Sequence, residues 1–199
     1  MDESPGLRER KRERTRKAIA TAALDLFARH GFHATTIPQI AEAADVSPRT
    51  VSGYFPAKED LAFPYADAQL AEFERRLEER SPGETGADAL RAWIPEIVQR
   101  GMEPPQDLRR RRAVIDADES LRARERRYML RTQAVLARAF ATDLGMDAEA
   151  LEPRMAAAAT LTVFELLGLD VDPGDPRRAL EALDRALVFI GGGIGALRG

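Results

Sequence analysis

The chain reads as all-α in two parts, an N-terminal three-helix unit followed by a longer helical unit, and three observations carry that reading. Apolar residues recur at i, i+3, i+4 and i+7 through most of the 199 residues, which is the spacing of one helix face. Helix punctuation stands at the ends of those stretches: Thr36-Ile37-Pro38 and Ser47-Pro48 open two of them, and Gly31 and Gly145 close two others. Charge is segregated as well. Leu7–Lys58 holds ten basic and five acidic residues, whereas residues 59–199 carry a net −6 in a chain whose total is −3. A basic head and an acidic body are therefore expected, divided into 1–58 and 59–199. The hydrophobic content of 44% suffices for packed cores.

Residues 1–6 read as a tail broken by Pro5-Gly6. Leu7–Lys17 is a basic segment running into the first full helix, Arg14–His30. Two readings stand for it: a solvated helical face with Glu9 and Glu13 paired to neighbouring arginines, or an arm that contacts phosphate or the minor groove. The helix carries Ile19, Ala22, Ala23, Leu26, Phe27 and His30 on one stripe. Gly31 ends it as a left-handed cap, and Phe32 is expected in a small core with Phe27, Ile40 and Val51.

Thr36 caps the next helix, with Pro38 in its first turn and Ile37, Ile40, Ala41 and Ala44 on its apolar face. Asp45 stands where that helix must stop, and Val46 turns back toward the core. Ser47 then caps a short helix reaching about Phe55, roughly 12 Å long at ~1.5 Å per residue. The DNA major groove is about 12 Å wide and admits one helix. A short rod opening Ser-Pro-Arg-Thr suits entry by its N-terminal end.

In order and spacing, Gly31-Phe32, Thr35-Thr36-Ile37, Ile40-Ala41, Val46-Ser47, Thr50, Tyr54-Phe55 and Lys58-Glu59-x-Leu61, with Ile19, Ala22 and Phe27 upstream, resemble the DNA-binding domain of the TetR family of bacterial transcriptional regulators. About 50 residues carry the resemblance. Asp45 stands where the family usually has glycine in the turn, and Ser52 where it often has an aromatic. The resemblance implies a sequence-specific DNA-binding regulator, a repressor released from a palindromic operator by a small-molecule effector, acting as a homodimer. Arg49 is the expected base reader, because its fork pairs two acceptors on guanine. Pro48, Thr50, Ser52 and Gly53 lie near the groove. Thr36, Tyr54 and Lys58 match positions that hold phosphates in the family, and Thr35 and Gln39 join them as candidates.

Beyond the motif, Ala57–Arg80 is expected as one connecting helix with Pro64 in its first turns and a stripe of Ala62, Phe63, Ala66, Leu70, Phe73 and Leu77. A loop at 81–86 leads to Ala87–Arg100, with Pro95 inside it. A helix over Asp107–Ala117 contains Arg109-Arg110-Arg111-Arg112, read as a solvated or salt-bridged face rather than a second nucleic-acid patch. Ser120–Leu144 carries Leu121, Tyr128, Met129, Thr132, Val135, Leu136, Ala139, Phe140 and Leu144.

Helices over 148–168 and 177–197 complete the chain. The first is apolar almost all round, which implies burial on all sides, one side of it by a second subunit. The pair is the expected four-helix dimer interface. Gly191–Gly193 either lets two helices approach closely or marks a fraying end; both readings stand.

The body is expected to house the effector, as the resemblance implies, with Phe63, Trp93, Met102, Tyr128, Met129, Thr132, Phe140 and Phe164 as candidate lining groups. Glu165 has three open readings: anchor for a cationic ligand, interface partner of Arg185, or solvent-facing acid. The chain has no cysteine, which excludes disulfides and thiolate chemistry. No apolar run reaches the ~18 residues of a membrane span, and the charged start lacks a secretory hydrophobic segment, so a cytoplasmic protein is expected. His30 and His33 are separated by the helix-breaking Gly31 with no completing ligands, so neither metal nor cofactor is expected. No nucleophile or acid/base constellation points to an enzyme. A helical adaptor that binds only another protein is the alternative.

Overall fold

The computed structural model describes residues 6–99, 105–170 and 176–196; the side chains of residues 96–99, 105, 165–170, 176–180 and 183 fall outside that description. Among the described residues every regular element is helical. In order they are α1 (Leu7–His30), α2 (Ile37–Ala43), α3 (Pro48–Tyr54), a 3-10 helix (Lys58–Ala62), α4 (Ala66–Glu78), α5 (Gly86–Gln99), α6 (Pro105–Asp116), α7 (Glu119–Leu144), α8 (Leu151–Asp170) and α9 (Pro176–Ala196).

The chain forms two compact units. One comprises Met1–Ala66 and Pro104–Glu125, the other Asp67–Glu103 and Arg126–Gly199. In the first unit α1 packs on α2, α6 and the 3-10 helix, and α2 packs on α3. Its core gathers Ile19, Ala23, Leu24, Phe27, Phe32, Ile40, Val51, Phe55 and Leu61. The expected group of Phe27, Phe32, Ile40 and Val51 is thus present, with Phe27 and Phe32 edge to face at 5.1 Å. The buried stripe of α1 is Ile19, Ala20, Ala23, Leu24 and Phe27. Ala22 and Leu26 are half-buried, and His30 is exposed rather than on the stripe.

Val114, Ile115 and Leu121 close the same core from α6 and the start of α7. The arginine run of α6 is salt-bridged here. Arg110 pairs with Asp25, Arg112 pairs with Asp116 and Glu125, and Arg111 Nη1 donates to the Ala62 carbonyl at 2.5 Å. Arg124 adds a bridge to Asp60 at 2.7 Å.

The single helix expected over Ala57–Arg80 is instead two. A 3-10 helix closes at Ala62, Phe63 leaves it with φ −130° and ψ 58°, and α4 begins only at Ala66. Pro64 explains the break: it lacks an amide hydrogen and disfavours helical geometry in the residue before it. The expected stripe divides accordingly. Ala62 is buried in the first core with Phe63 packed on it, while Leu70, Phe73 and Leu77 belong to the core of the second unit.

The second unit packs α5 on α9 and α8 on α9. Its core runs from Leu70, Phe73 and Leu77 through Leu90 and Trp93 to Leu136, Phe140, Leu187 and Ile190. Thr85 and Asp88 form a reciprocal cap at the start of α5, with Asp88 N donating to Thr85 Oγ1 at 3.1 Å and Thr85 N to Asp88 Oδ2 at 3.2 Å. The Asp143 carboxylate ties α7 to the segment after α4 and to the start of α5 by accepting from Arg80 Nη1 at 2.6 Å and from Gly86 N at 2.7 Å.

Helix α8 is not covered on all sides within one chain: Leu151 is 66% and Met155 60% exposed. Helix α9 leaves Val188 and Phe189 exposed, the latter at 83%. A Cβ on Gly191 would lie 3.5 Å from Ala87 Cβ, so this glycine marks the approach of α9 to α5, whereas Gly192, Gly193 and Gly195 face open space.

Candidate DNA-reading surface

The segment from Thr36 to Phe55 is held by backbone geometry written residue by residue. Thr36 Oγ1 accepts from Gln39 N at 3.4 Å, and Gln39 Oε1 accepts from Thr36 N at 2.8 Å, a capping box that satisfies two amide groups reciprocally. At the other end of α2, Asp45 N donates to Glu42 O at 3.1 Å and Val46 N to Ala41 O at 2.9 Å. This is a Schellman ending, and Asp45 takes the left-handed conformation it needs, with φ 52°. Aspartate tolerates that region less well than glycine but better than bulkier residues. Val46 packs against the core as the hydrophobic residue of the motif.

The turn delivers Ser47, whose Oγ accepts from Thr50 N at 3.0 Å with Pro48 at the first helical position. The resulting rod is seven residues long, ~10 Å at ~1.5 Å per residue. Its inner side is Val51, followed by Phe55 at the cap, both buried in the core. Its outer side is Pro48, Arg49, Ser52 and Gly53, all exposed. Arg49 has no ion-pair partner among the described residues, and a Cβ built on Gly53 would meet nothing within 4 Å.

The remaining candidates separate. Thr36 and Gln39 are exposed at the start of α2, beside its capping box. Thr50 is half-buried, its hydroxyl 2.8 Å from Ser47 Oγ. Tyr54 is half-buried against the core. Lys58 opens the 3-10 helix with Nζ 4.4 Å from the Phe32 ring centroid, a cation–π distance that fixes its stem. Thr35 is only 1% exposed, and its hydroxyl donates to Gly31 O at 2.9 Å. It belongs to the scaffold, closing the end of α1.

Sequence reasoning missed three residues that brace this surface. Arg16 Nη1 donates to Pro64 O at 2.8 Å, and its guanidinium lies 5.0 Å from the Phe55 ring centroid and 5.9 Å from that of Tyr54. Tyr65 Oη donates to Glu13 Oε1 at 2.7 Å; burial first, then Glu13, pushes the phenol up to about 12. Asp118 caps α7 through Ser120 N and Leu121 N and holds His33 Nε2 at 3.0 Å. Burial pushes this carboxyl up, but the bonds from Ser120 and Leu121 and the nearby His33 outweigh it and set it below the usual range. Each of these partners is distant in sequence and joined by no spacing rule.

The effector candidates converge only in part. Trp93 and Phe140 are buried in the core of the second unit, and Trp93 stacks on Phe73 at 5.2 Å. Tyr128 and Phe164 pack against that core, and Thr132 Oγ1 donates to Tyr128 O at 3.1 Å. Met129 is 44% exposed beside the exposed Leu130, and Phe63 lies with the first unit's core. Met102 and the Glu165 side chain lie outside the described residues. A depression in the second unit is lined instead by Glu78, Arg80, Ser81, Glu84, Thr142 and Asp143. It is polar, and two of its carboxylates are already paired: Arg76 bridges Glu84 and holds that carboxyl low, and Arg80 bridges Asp143.

Residues 19–63 match the family of bacterial regulatory proteins described as the tetR family, and residues 84–193 match the MftR C-terminal domain. The HTH-type transcriptional regulator TcmR of Streptomyces glaucescens is 40% identical over 96 residues, 48% of this chain and 42% of that protein. RutR of Escherichia coli K12, also an HTH-type transcriptional regulator, is 50% identical over 56 residues, 28% of this chain and 26% of that one. The chain thus matches less than half the length of these curated relatives. Among solved structures, the SmeT–triclosan complex is similar with a TM-score of 0.60 at 23% identity, covering 88% of this chain and 91% of that one. Salmonella enterica GusR is similar with a TM-score of 0.60 at 22% identity, covering 92% and 96%. These two likenesses concern the fold. No described helix is long and apolar enough to cross a membrane.

Proposed function

Because the chain belongs to the TetR family of bacterial regulatory proteins, we propose that it is a sequence-specific DNA-binding transcriptional regulator, a repressor released from a palindromic operator by a small-molecule effector. The observation that carries this is the two-sided rod α3: Val51 and Phe55 anchor the core while Pro48, Arg49, Ser52 and Gly53 face outward. A helix so placed offers its first turn to base edges, and the small Ser52 and Gly53 let the backbone come close. Arg49 reads guanine, and Thr36, Gln39, Tyr54 and Lys58 hold phosphates.

One rod touches too few base pairs to select a site, so two copies read two half-sites related by a two-fold axis. The exposed faces of α8 and α9, with Leu151, Met155, Val188 and Phe189, are the surfaces that meet in the homodimer. Release by an effector requires that it bind one of two states better, a coupling of typically ~1–3 kcal/mol. Trp93, Tyr128, Thr132 and Phe164 are the groups of the second unit retained as candidate effector contacts.

The test is selection from a random duplex pool. The wild-type chain enriches an inverted repeat. Arg49→Ala loses about 1–3 kcal/mol and relaxes preference at one base pair of each half-site, whereas Lys58→Gln weakens all duplexes alike and flattens the salt dependence by about one contact. Enrichment of no sequence by a confirmed dimer would overturn the reading in favour of a protein-binding adaptor.

A further inference from the structure

Among the described residues Asp45 is the one non-glycine residue in the left-handed region, at φ 52°. The bonds that need this conformation run from Asp45 N and Val46 N to the carbonyls of Glu42 and Ala41. They are backbone bonds, which glycine would make as well and without strain. Within the chain the aspartate side chain brings nothing to set against that cost. It is exposed, accepts no hydrogen bond and meets no cation among the described residues. A strained residue whose side chain has no local task points to a task outside the chain. Its position supplies one. Asp45 stands two residues before Ser47, the cap of α3, so its Cα lies within ~7 Å of the end that the rod presents to a groove. Phosphates border that groove, and the Debye length is ~10 Å at ~0.1 M salt. A carboxylate at the turn repels those phosphates through water without touching them.

We infer that Asp45 sets the affinity for DNA from outside the contacts: held at the turn by its backbone, its carboxylate weakens binding to every duplex alike and leaves the choice of site to the base pairs that Arg49 reads. The inference rests on the proposed operator binding and deepens it. Leu7–Lys58 carries an excess of cations, whose attraction to phosphate is independent of sequence. The Asp45 charge limits that attraction at the point where the rod enters. One pair of unit charges ~8 Å apart in water changes an affinity by about a factor of two. Two copies of Asp45, each beside more than one phosphate, therefore lower the affinity of a dimer by roughly 5–10-fold at low salt. The effect needs no base contact and no ion pair, only the fixed position of the turn.

The experiment uses the full chain, the inverted repeat that it enriches and an unrelated duplex, with affinity followed from low to high salt. Two variants separate charge from strain. Asp45→Asn removes the charge and keeps a side chain that tolerates the left-handed region; Asp45→Gly removes charge and strain together. Both raise affinity for operator and unrelated duplex by the same factor, roughly 5–10-fold at low salt. The gain fades as salt screens it, and both variants enrich the wild-type sequence. The glycine variant raises the thermal midpoint more than the asparagine one, with no further gain in affinity. An affinity gain that follows the midpoint, larger for glycine than for asparagine, overturns the inference, because strain and not charge would then set the binding. Unchanged affinity in both variants overturns it, and so does a loss confined to one base pair of the half-site, which would make Asp45 a reader of bases. In each of those cases the wild type still enriches its repeat and the operator reading stands. Failure of the wild type to enrich any duplex removes the operator reading and the role of Asp45 together.

Discussion

The two units leave opposite kinds of surface uncovered. The first closes its core around Phe27, Phe32, Val51 and Phe55 and turns outward the cations of α1 and Arg49. The second closes its core around Trp93, Leu136 and Phe140, yet leaves Leu151, Met155, Val188 and Phe189 in solvent. A cationic surface is stable in water until an anion displaces its counterions. An apolar surface of that size costs free energy for as long as it stays wet, at about 25 cal/mol per Å². The difference teaches that one surface is addressed to phosphate and the other to more protein, and each can be tested separately.

The largest effect belongs to the second core. Phe140 entered as a candidate effector contact but is fully buried among core residues. Phe140→Ala should therefore lower stability by about 3–5 kcal/mol, read as a shifted midpoint in denaturant. Unaltered stability with a weakened effector response would return Phe140 to the binding site. The next effect concerns the apolar faces. Phe189→Glu places a charge where the proposed interface must dry, and should weaken self-association by about 2–4 kcal/mol while leaving helix content intact. Sedimentation would show a monomer at concentrations where the wild type is paired; an undisturbed dimer would move the interface elsewhere.

How legible each unit was in the sequence follows from the range of its determinants. The reading surface is specified locally. Thr36 with Gln39, Asp45 and Val46 with the last carbonyls of α2, and Ser47 with Thr50 act across three to five residues, so caps, turn and outward face could be read in advance. Pro64 is also local, and its consequence for the expected helix at 57–80 follows from the missing amide and the restricted Phe63; the apolar stripe running through both sides masked it. What could not be read depends on partners far apart in the chain. Arg16 over Phe55, Tyr65 on Glu13, and α6 bridged to α1 by Arg110 and Asp25 need the folded first unit to bring them together. The same holds for the effector candidates, where spacing identified an apolar stripe on α7 but could not say that Met129 would face out while Phe140 faced in.

The smallest effect discriminates between two roles of one residue. Thr36 is both the cap of α2 and a proposed phosphate contact, and its exposed position permits both. Thr36→Ala removes the capping hydroxyl and should lower stability by about 1 kcal/mol, whereas Thr36→Ser keeps it and should restore most of that loss. If Thr36 also holds a phosphate, the alanine variant loses affinity for every duplex alike, beyond what its folded fraction explains, and its salt slope falls by about one contact per protomer. If capping is its whole role, affinity per folded molecule is unchanged at a temperature well below the midpoint. The first outcome would place the hydroxyl that opens α2 on the DNA beside α3; the second would leave α3 to read the groove with the phosphate contacts of Gln39, Tyr54 and Lys58.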